Sequence, residues 1–214
     1  PDVPSLAAMT RAAIDSLSRD PDGFFLMIEG GRIDHAGHAN DPTGVIHDTL
    51  AFDNAVREAY EFYLQHRDDT LIVVVGDHET GGMGMGMDAM GYKLDLAKLL
   101  NTKVSVEDTL AYGDGQYKGD RQAYLTFLAD RFGLDNLSQD ETARLEKAMA
   151  DADAGKTAGY YKVNPAALTA AHLLSERANI NWTTTIHTAT MIPMSATGVG
   201  AHRFSGWKDN TQIA

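Results

Sequence analysis

The sequence predicts an α/β fold, with a central, mostly parallel sheet flanked by helices and interrupted by a mostly helical insertion. Three observations lead there. Two short apolar runs, residues 24–28 and Leu71–Val75, are bounded by turn residues and apolar on both faces, as buried strands are. Between them apolar residues recur at helical spacing, which makes a strand, crossover helix, strand unit with parallel strands. Beyond Gly82 the texture turns helical, and β-branched residues become dense again only after Asn181.

The elements follow in order. Over residues 4–18, Leu6, Met9, Ala13 and Leu17 recur with helical period, and Ser5 is placed to cap. The run 24–28 follows the Asp22-Gly23 turn and ends on Glu29-Gly30-Gly31. Asp41-Pro42 reads as an N-cap followed by proline at the first helical position. Val45, Phe52, Val56, Ala59 and Tyr63 then line one face of a helix that reaches about Gln65. Asp68-Asp69 breaks it, and the second strand ends on Gly76-Asp77-His78. Further helices are expected over residues 119–132, 138–150 and 165–178, and a strand from Asn181 to Ser195. Met83, Met85 and Met87 alternate with glycine as a flexible rim without a functional role. The organisation is thus a core (residues 1–85), an insertion (86–178) and a return to the core sheet (179–214).

Composition narrows the chemistry. Thirty acidic against eighteen basic side chains give a net charge of -12, which repels a nucleic-acid backbone. With no cysteine, disulfides and thiolate metal sites are excluded, so a transition metal must use His, Asp or Glu. The longest apolar stretches, residues 24–28 and Leu71–Val75, are far short of the roughly 20 residues of a membrane-spanning helix. No charged-then-apolar leader precedes Pro1, which leaves the compartment open.

Two polar clusters carry the chemistry. The first runs from Glu29 through Asp34 and His35 to His38, and the second is Asp77-His78-Glu79-Thr80-Gly81-Gly82. Zinc accepts Asp oxygen and His nitrogen in tetrahedral sites, whereas magnesium prefers oxygen and keeps its waters. Asp34 and His38 are four residues apart, so one helical turn or a tight loop aims both at one ion, and Glu29 is placed for a different ion. Parallel strands would put both clusters outside one sheet edge, where open α/β sheets bind ligands.

The pattern from Gly23 to Gly82, with Glu29-Gly30, Ile33-Asp34-His35, His38 and Gly76-Asp77-His78-Glu79-Thr80-Gly81-Gly82, resembles the alkaline phosphatases. The resemblance returns at Ile186-His187-Thr188, while the insertion resembles that family's variable crown only in position. It implies an alkaline phosphatase-like fold binding two Zn2+ and one Mg2+. Asp34, His38 and His187 would hold the first zinc, and Asp77 and His78 the second. Glu29 would be a magnesium ligand, and His35 a neighbour of the phosphate or its waters. His202, in Gly198-Val199-Gly200-Ala201-His202, competes with His187 for the late position, and His187 is preferred for its motif. His47, His66 and His172 are expected to be surface or packing residues.

The implied activity is hydrolysis of phosphate monoesters through a phosphoserine, releasing inorganic phosphate, in a periplasmic or secreted homodimer. The family's nucleophile motif is not recognisable, because the one Asp-Ser pair, Asp15-Ser16, falls within the first helix. The chain is therefore expected to be the C-terminal portion of a longer enzyme. Another superfamily activity (phosphodiesterase, mutase or sulfatase) and a non-catalytic metal-binding module are the alternatives, and Glu29 favours the monoesterase.

Overall fold

A computed structural model describes residues 3–110, 112, 117–159 and 161–213, which group into two compact units. The first comprises Pro1–Gly31, His47–Glu79 and Ala189–Ala214, the second Arg32–Ile46 and Thr80–Thr188.

In the first unit, α1 (Leu6–Leu17) starts where Ser5 accepts the amide of Ala8 at 3.2 Å, and it buries Thr10 and Ile14. Asp15 and Ser16 lie in its last turn. Arg11 meets Glu58 at 2.5 Å on α3 (Pro42–Gln65), the expected crossover helix. The apolar run at 24–28 is not a strand. Phe25 is 90% and Met27 77% exposed, whereas Leu26 and Ile28 are half-buried, and Phe24 rests edge-on against Phe62 at 5.9 Å. A strand exists through its ladder, and among the described residues this run is assigned none, whatever its apolarity.

The second expected strand does form. It is β1 (Leu71–Val75), but it pairs antiparallel with β6 (Met194–Gly198), from Leu71 opposite Gly198 to Val75 opposite Met194. The parallel unit is thus replaced by an antiparallel pair. The ligand clusters do not stand at the ends of two paired parallel strands.

The second unit contains the main apolar cluster. Within it α5 (Arg121–Arg131), α6 (Gln139–Asp153) and α7 (Pro165–Arg177) start on Asp120, Ser138 and Asn164, whose side chains accept first-turn amides. Ser138 and Glu141 complete a capping box, and Pro165 opens α7. Tyr124, Leu128, Phe132, Leu145, Met149, Leu173 and Leu174 are fully buried, each stabilising by about 1.5–3 kcal/mol for a large side chain. Buried Tyr124 donates its hydroxyl to the carbonyl of Leu110 at 3.0 Å, and burial raises its phenol above the ordinary range. Two bidentate pairs fasten α6 to α7: Arg144 with Glu176, both at 2.7 Å, and Arg177 with Glu141 at 2.7 and 3.0 Å.

The methionine–glycine run supplies β3 (Gly84–Met85), antiparallel to β4 (Ile180–Asn181), instead of a flexible rim. The long strand expected from Asn181 to Ser195 is broken: among the described residues only Asn181 at the end of β4, β5 (His187–Thr188) and the start of β6 are in strands. Its threonines explain the break. Thr184 accepts the amide of Ile186 in its own hydroxyl at 3.2 Å, and the amides of Thr183 and Thr184 both turn to the carbonyl of Gly81.

Candidate metal centre

Within the second unit, Arg32–His38 forms the short helix α2, so Asp34 and His38 stand one turn apart on one face. Oδ1 of Asp34 lies 3.3 Å from Nε2 of His38. Nε2 of His187, at the start of β5, lies 3.2 Å from Nε2 of His38 and 3.8 Å from Oδ1 of Asp34. Three potential ligand atoms thus converge from two segments about 150 residues apart in sequence.

Their hydrogen bonds prepare them to bind. Nδ1 of His38 faces the carbonyl of Thr185 at 2.7 Å. A carbonyl only accepts, so Nδ1 carries the proton and the lone pair of Nε2 points to the other two ligand atoms. Thr80 donates its hydroxyl to Oδ1 of Asp34 at 2.5 Å, fixing that carboxylate. The His38 side chain is 1% exposed, whereas Asp34 and His187 are 33% and 47% exposed, so the cluster is anchored inside and open on one side.

The donor set fits a tetrahedral zinc. Bonds of about 2.0–2.1 Å to oxygen and nitrogen space the corners of a regular tetrahedron about 3.3 Å apart. The observed 3.2, 3.3 and 3.8 Å bracket that value.

The local fold explains why the segments come so close. A Cβ on Gly37 would lie 3.0 Å from the backbone oxygen and Cγ2 of Thr80, so glycine there lets α2 approach Thr80. Gly81 has φ +89, and a Cβ on it would lie 2.9 Å from the Gly37 carbonyl and 2.8 Å from the Trp182 ring. Buried Asp41 then redirects the chain: one carboxylate oxygen caps Gly44 at 2.8 Å, and the other accepts the amide of Val106 at 3.0 Å.

His35 has other partners. Its Nδ1 bonds Glu107 at 3.0 and 3.3 Å, Arg32 approaches the same carboxylate at 3.4 Å, and its ring lies parallel to that of Tyr161 at 6.1 Å. Tyr161 also stands edge-on to His38 at 4.3 Å. In the first unit, Asp77 and His78 are mutual neighbours, with Oδ2 3.2 Å from Nε2, and Glu29 is exposed. His202 is exposed on a 3-10 turn, Ala201–Phe204. His47 is exposed, His66 stacks on Phe62 at 4.3 Å, and half-buried His172 bonds Asn40.

Sequence reasoning placed Thr80 in the second cluster without a role of its own, and missed Asn40, Glu107, Tyr161 and the carbonyl of Thr185. Only Thr80 had a signal, since it directly follows Asp77-His78-Glu79. A carbonyl has no side-chain signature, and Glu107 and Tyr161 lie in the part of the sequence with no recognisable motif.

Comparison with known proteins completes the picture. The family model described as alkaline phosphatase matches residues 1–214. The chain is 32% identical to alkaline phosphatase 3 of Bacillus subtilis (strain 168), over 100% of the chain and 43% of that protein. It is 39% identical to the alkaline phosphatase of Escherichia coli (strain K12) over 53% of the chain and 24% of that protein. Among solved structures, the cold-active alkaline phosphatase of the psychrophile Shewanella sp. superposes with a TM-score of 0.78 at 27% identity, covering 98% of this chain and 48% of that one. The Thermus thermophilus enzyme gives 0.68 at 28% identity, covering 93% and 43%. The chain thus spans less than half the length of each of these relatives.

Proposed function

The chain belongs to the alkaline phosphatase family, and from that premise we propose that it supplies metal ligands to a phosphomonoesterase site, with Asp34, His38 and His187 holding one zinc. The observation that carries this reading is the 3.2–3.8 Å convergence of their ligand atoms, with Nδ1 of His38 committed to the carbonyl of Thr185. A divalent cation there supplies positive charge to phosphoryl oxygens, where in-line displacement accumulates negative charge. The chain's own part is to pin the Asp34 carboxylate through the hydroxyl of Thr80, and to keep the His38 imidazole in one tautomer.

The rest of the reading follows the family resemblance. Asp77 and His78 serve a second zinc, and Glu29 a magnesium whose preference is for oxygen. His35 contributes near the phosphate, its exposed imidazole set one residue beyond Asp34 and oriented by Glu107. The substrate class is phosphate monoesters, the product inorganic phosphate, and the complete protein works as a periplasmic or secreted homodimer. The attacking group is assigned to no residue of this chain, since Asp15-Ser16 sits inside a helix.

Two measurements test this. Titration of the chain with Co2+ as a zinc surrogate is expected to give the intense visible absorption of a low-symmetry site, lost in Asp34→Ala. Absence of that absorption in the unaltered chain refutes the ligand assignment. For the protein with the length of its relatives, hydrolysis of p-nitrophenyl phosphate at alkaline pH is expected to stop with chelator and return with zinc and magnesium. Hydrolysis of diesters alone would refute the monoesterase.

A further inference from the structure

The ligand atoms reach one another because α2 and the segment from Thr184 to His187 are held in register, and besides His38 itself a second buried side chain connects them. Asn40 is 1% exposed and takes a positive φ of 50°, a conformation that asparagine tolerates better than most residues. Its amide nitrogen donates to the carbonyl of Gly37 at 2.9 Å and to that of Thr184 at 2.9 Å. Both partners only accept, which fixes the orientation of the amide, and Oδ1 therefore faces Nε2 of His172 on α7, 2.8 Å away. An amide oxygen only accepts, so Nε2 of His172 carries a proton and donates it.

Each end of this bridge adjoins the metal centre. Gly37 immediately precedes His38. Thr184 immediately precedes Thr185, whose carbonyl holds Nδ1 of His38, and lies three residues before His187. We infer that Asn40, itself oriented by His172, is a positioning residue for the metal centre: it fixes the distance between the helix that carries Asp34 and His38 and the segment that carries His187. The inference rests on the proposed metal reading and deepens it. Neither side chain touches the ligand atoms, so the effect is transmitted through two carbonyls whose neighbours do.

The test is Co2+ and Zn2+ affinity of the full 214-residue chain, read by competitive titration and by the Co2+ absorption spectrum. Asn40→Gly keeps the positive φ accessible and removes all three side-chain bonds. His172→Leu removes the donor to Oδ1. Loss of an outer partner of a metal site costs about 10–100-fold in affinity, and that range is expected for both, with an altered Co2+ spectrum. His172→Gln, whose amide can donate to Oδ1, is expected to recover much of the loss, which a general packing defect would not allow. Tyr124→Phe, lowering stability elsewhere in the same unit, is the control and should leave affinity unchanged.

Wild-type affinity and spectrum in His172→Leu and Asn40→Gly would overturn the positioning role while leaving the metal reading intact. Equal losses in His172→Gln and His172→Leu would also overturn the role assigned to His172. If the unaltered chain binds neither ion, the metal reading fails and the positioning role fails with it.

Discussion

The imidazole of His38 donates from Nδ1 to the backbone carbonyl of Thr185, 147 residues later in the chain, at 2.7 Å. That bond places the proton on Nδ1, and the other ring nitrogen, Nε2, lies 3.2 Å from His187 and 3.3 Å from Asp34. On the proposed reading this buried histidine is a metal ligand, and its neighbours give separable expectations.

Thr80 donates to the ligand oxygen of Asp34 at 2.5 Å. Thr80→Val keeps the shape and removes the hydroxyl. Zinc affinity is expected to fall about 10-fold or more, as it does when a ligating carboxylate loses its outer hydrogen bond, with the unfolding midpoint little changed. Isothermal titration of the variant checks this, and unchanged affinity would remove Thr80 from the site.

His187 and His202 were rivals for the late ligand. His187 lies 3.2 Å from His38, and His202 is exposed on its turn. His187→Ala is therefore expected to abolish tight zinc binding and His202→Ala to spare it, as measured by metal content after dialysis. The opposite pattern would transfer the assignment.

Arg177 grips Glu141 with two hydrogen bonds, which, with the amide of Ser138, hold the Glu141 carboxyl down from 4.5 to about 2. A group whose folded pKa is depressed stabilises the fold above its unfolded pKa and loses that contribution as pH falls through the folded one. Denaturant melts should show stability declining from about pH 5 towards pH 2 by this route. In Glu141→Gln that part of the decline should vanish, at the cost of lower stability at pH 7.

Asp41 spends both carboxylate oxygens on backbone amides, capping Gly44 and holding Val106. Asp41→Ala strands two amides, each costing about 1–3 kcal/mol where it stays buried. Asp41→Asn, which retains one acceptor, should lose roughly half as much. Chemical denaturation of the two variants checks the order, and equal stability of both with the parent would contradict it.

The sequence was most legible where local chemistry decides the outcome. Ser5, the Asp41-Pro42 pair and the apolar run Leu71–Val75 each did locally what their residue types favour, and the three helices of the insertion region lie close to their expected limits. Pairing was not legible. Residues 24–28 have a strand's composition without a ladder, and Leu71–Val75 found an antiparallel partner more than a hundred residues away. Period and propensity describe a face and never its partner. At the candidate site, Asp34, His38 and His187, which the structure brings together, were named from the sequence, whereas the groups that orient them are backbone carbonyls, a hydroxyl and a buried amide. These become visible only when Thr185 and Asn40 are placed in space.

The central claim is that Asp34, His38 and His187 form one zinc site. Its most direct test is anomalous scattering at the zinc edge from crystals of the chain grown with Zn2+. The account predicts a peak about 2.0–2.1 Å from a carboxylate oxygen of Asp34, Nε2 of His38 and Nε2 of His187. A fully occupied zinc bound elsewhere, with these three atoms left without it, would contradict the account.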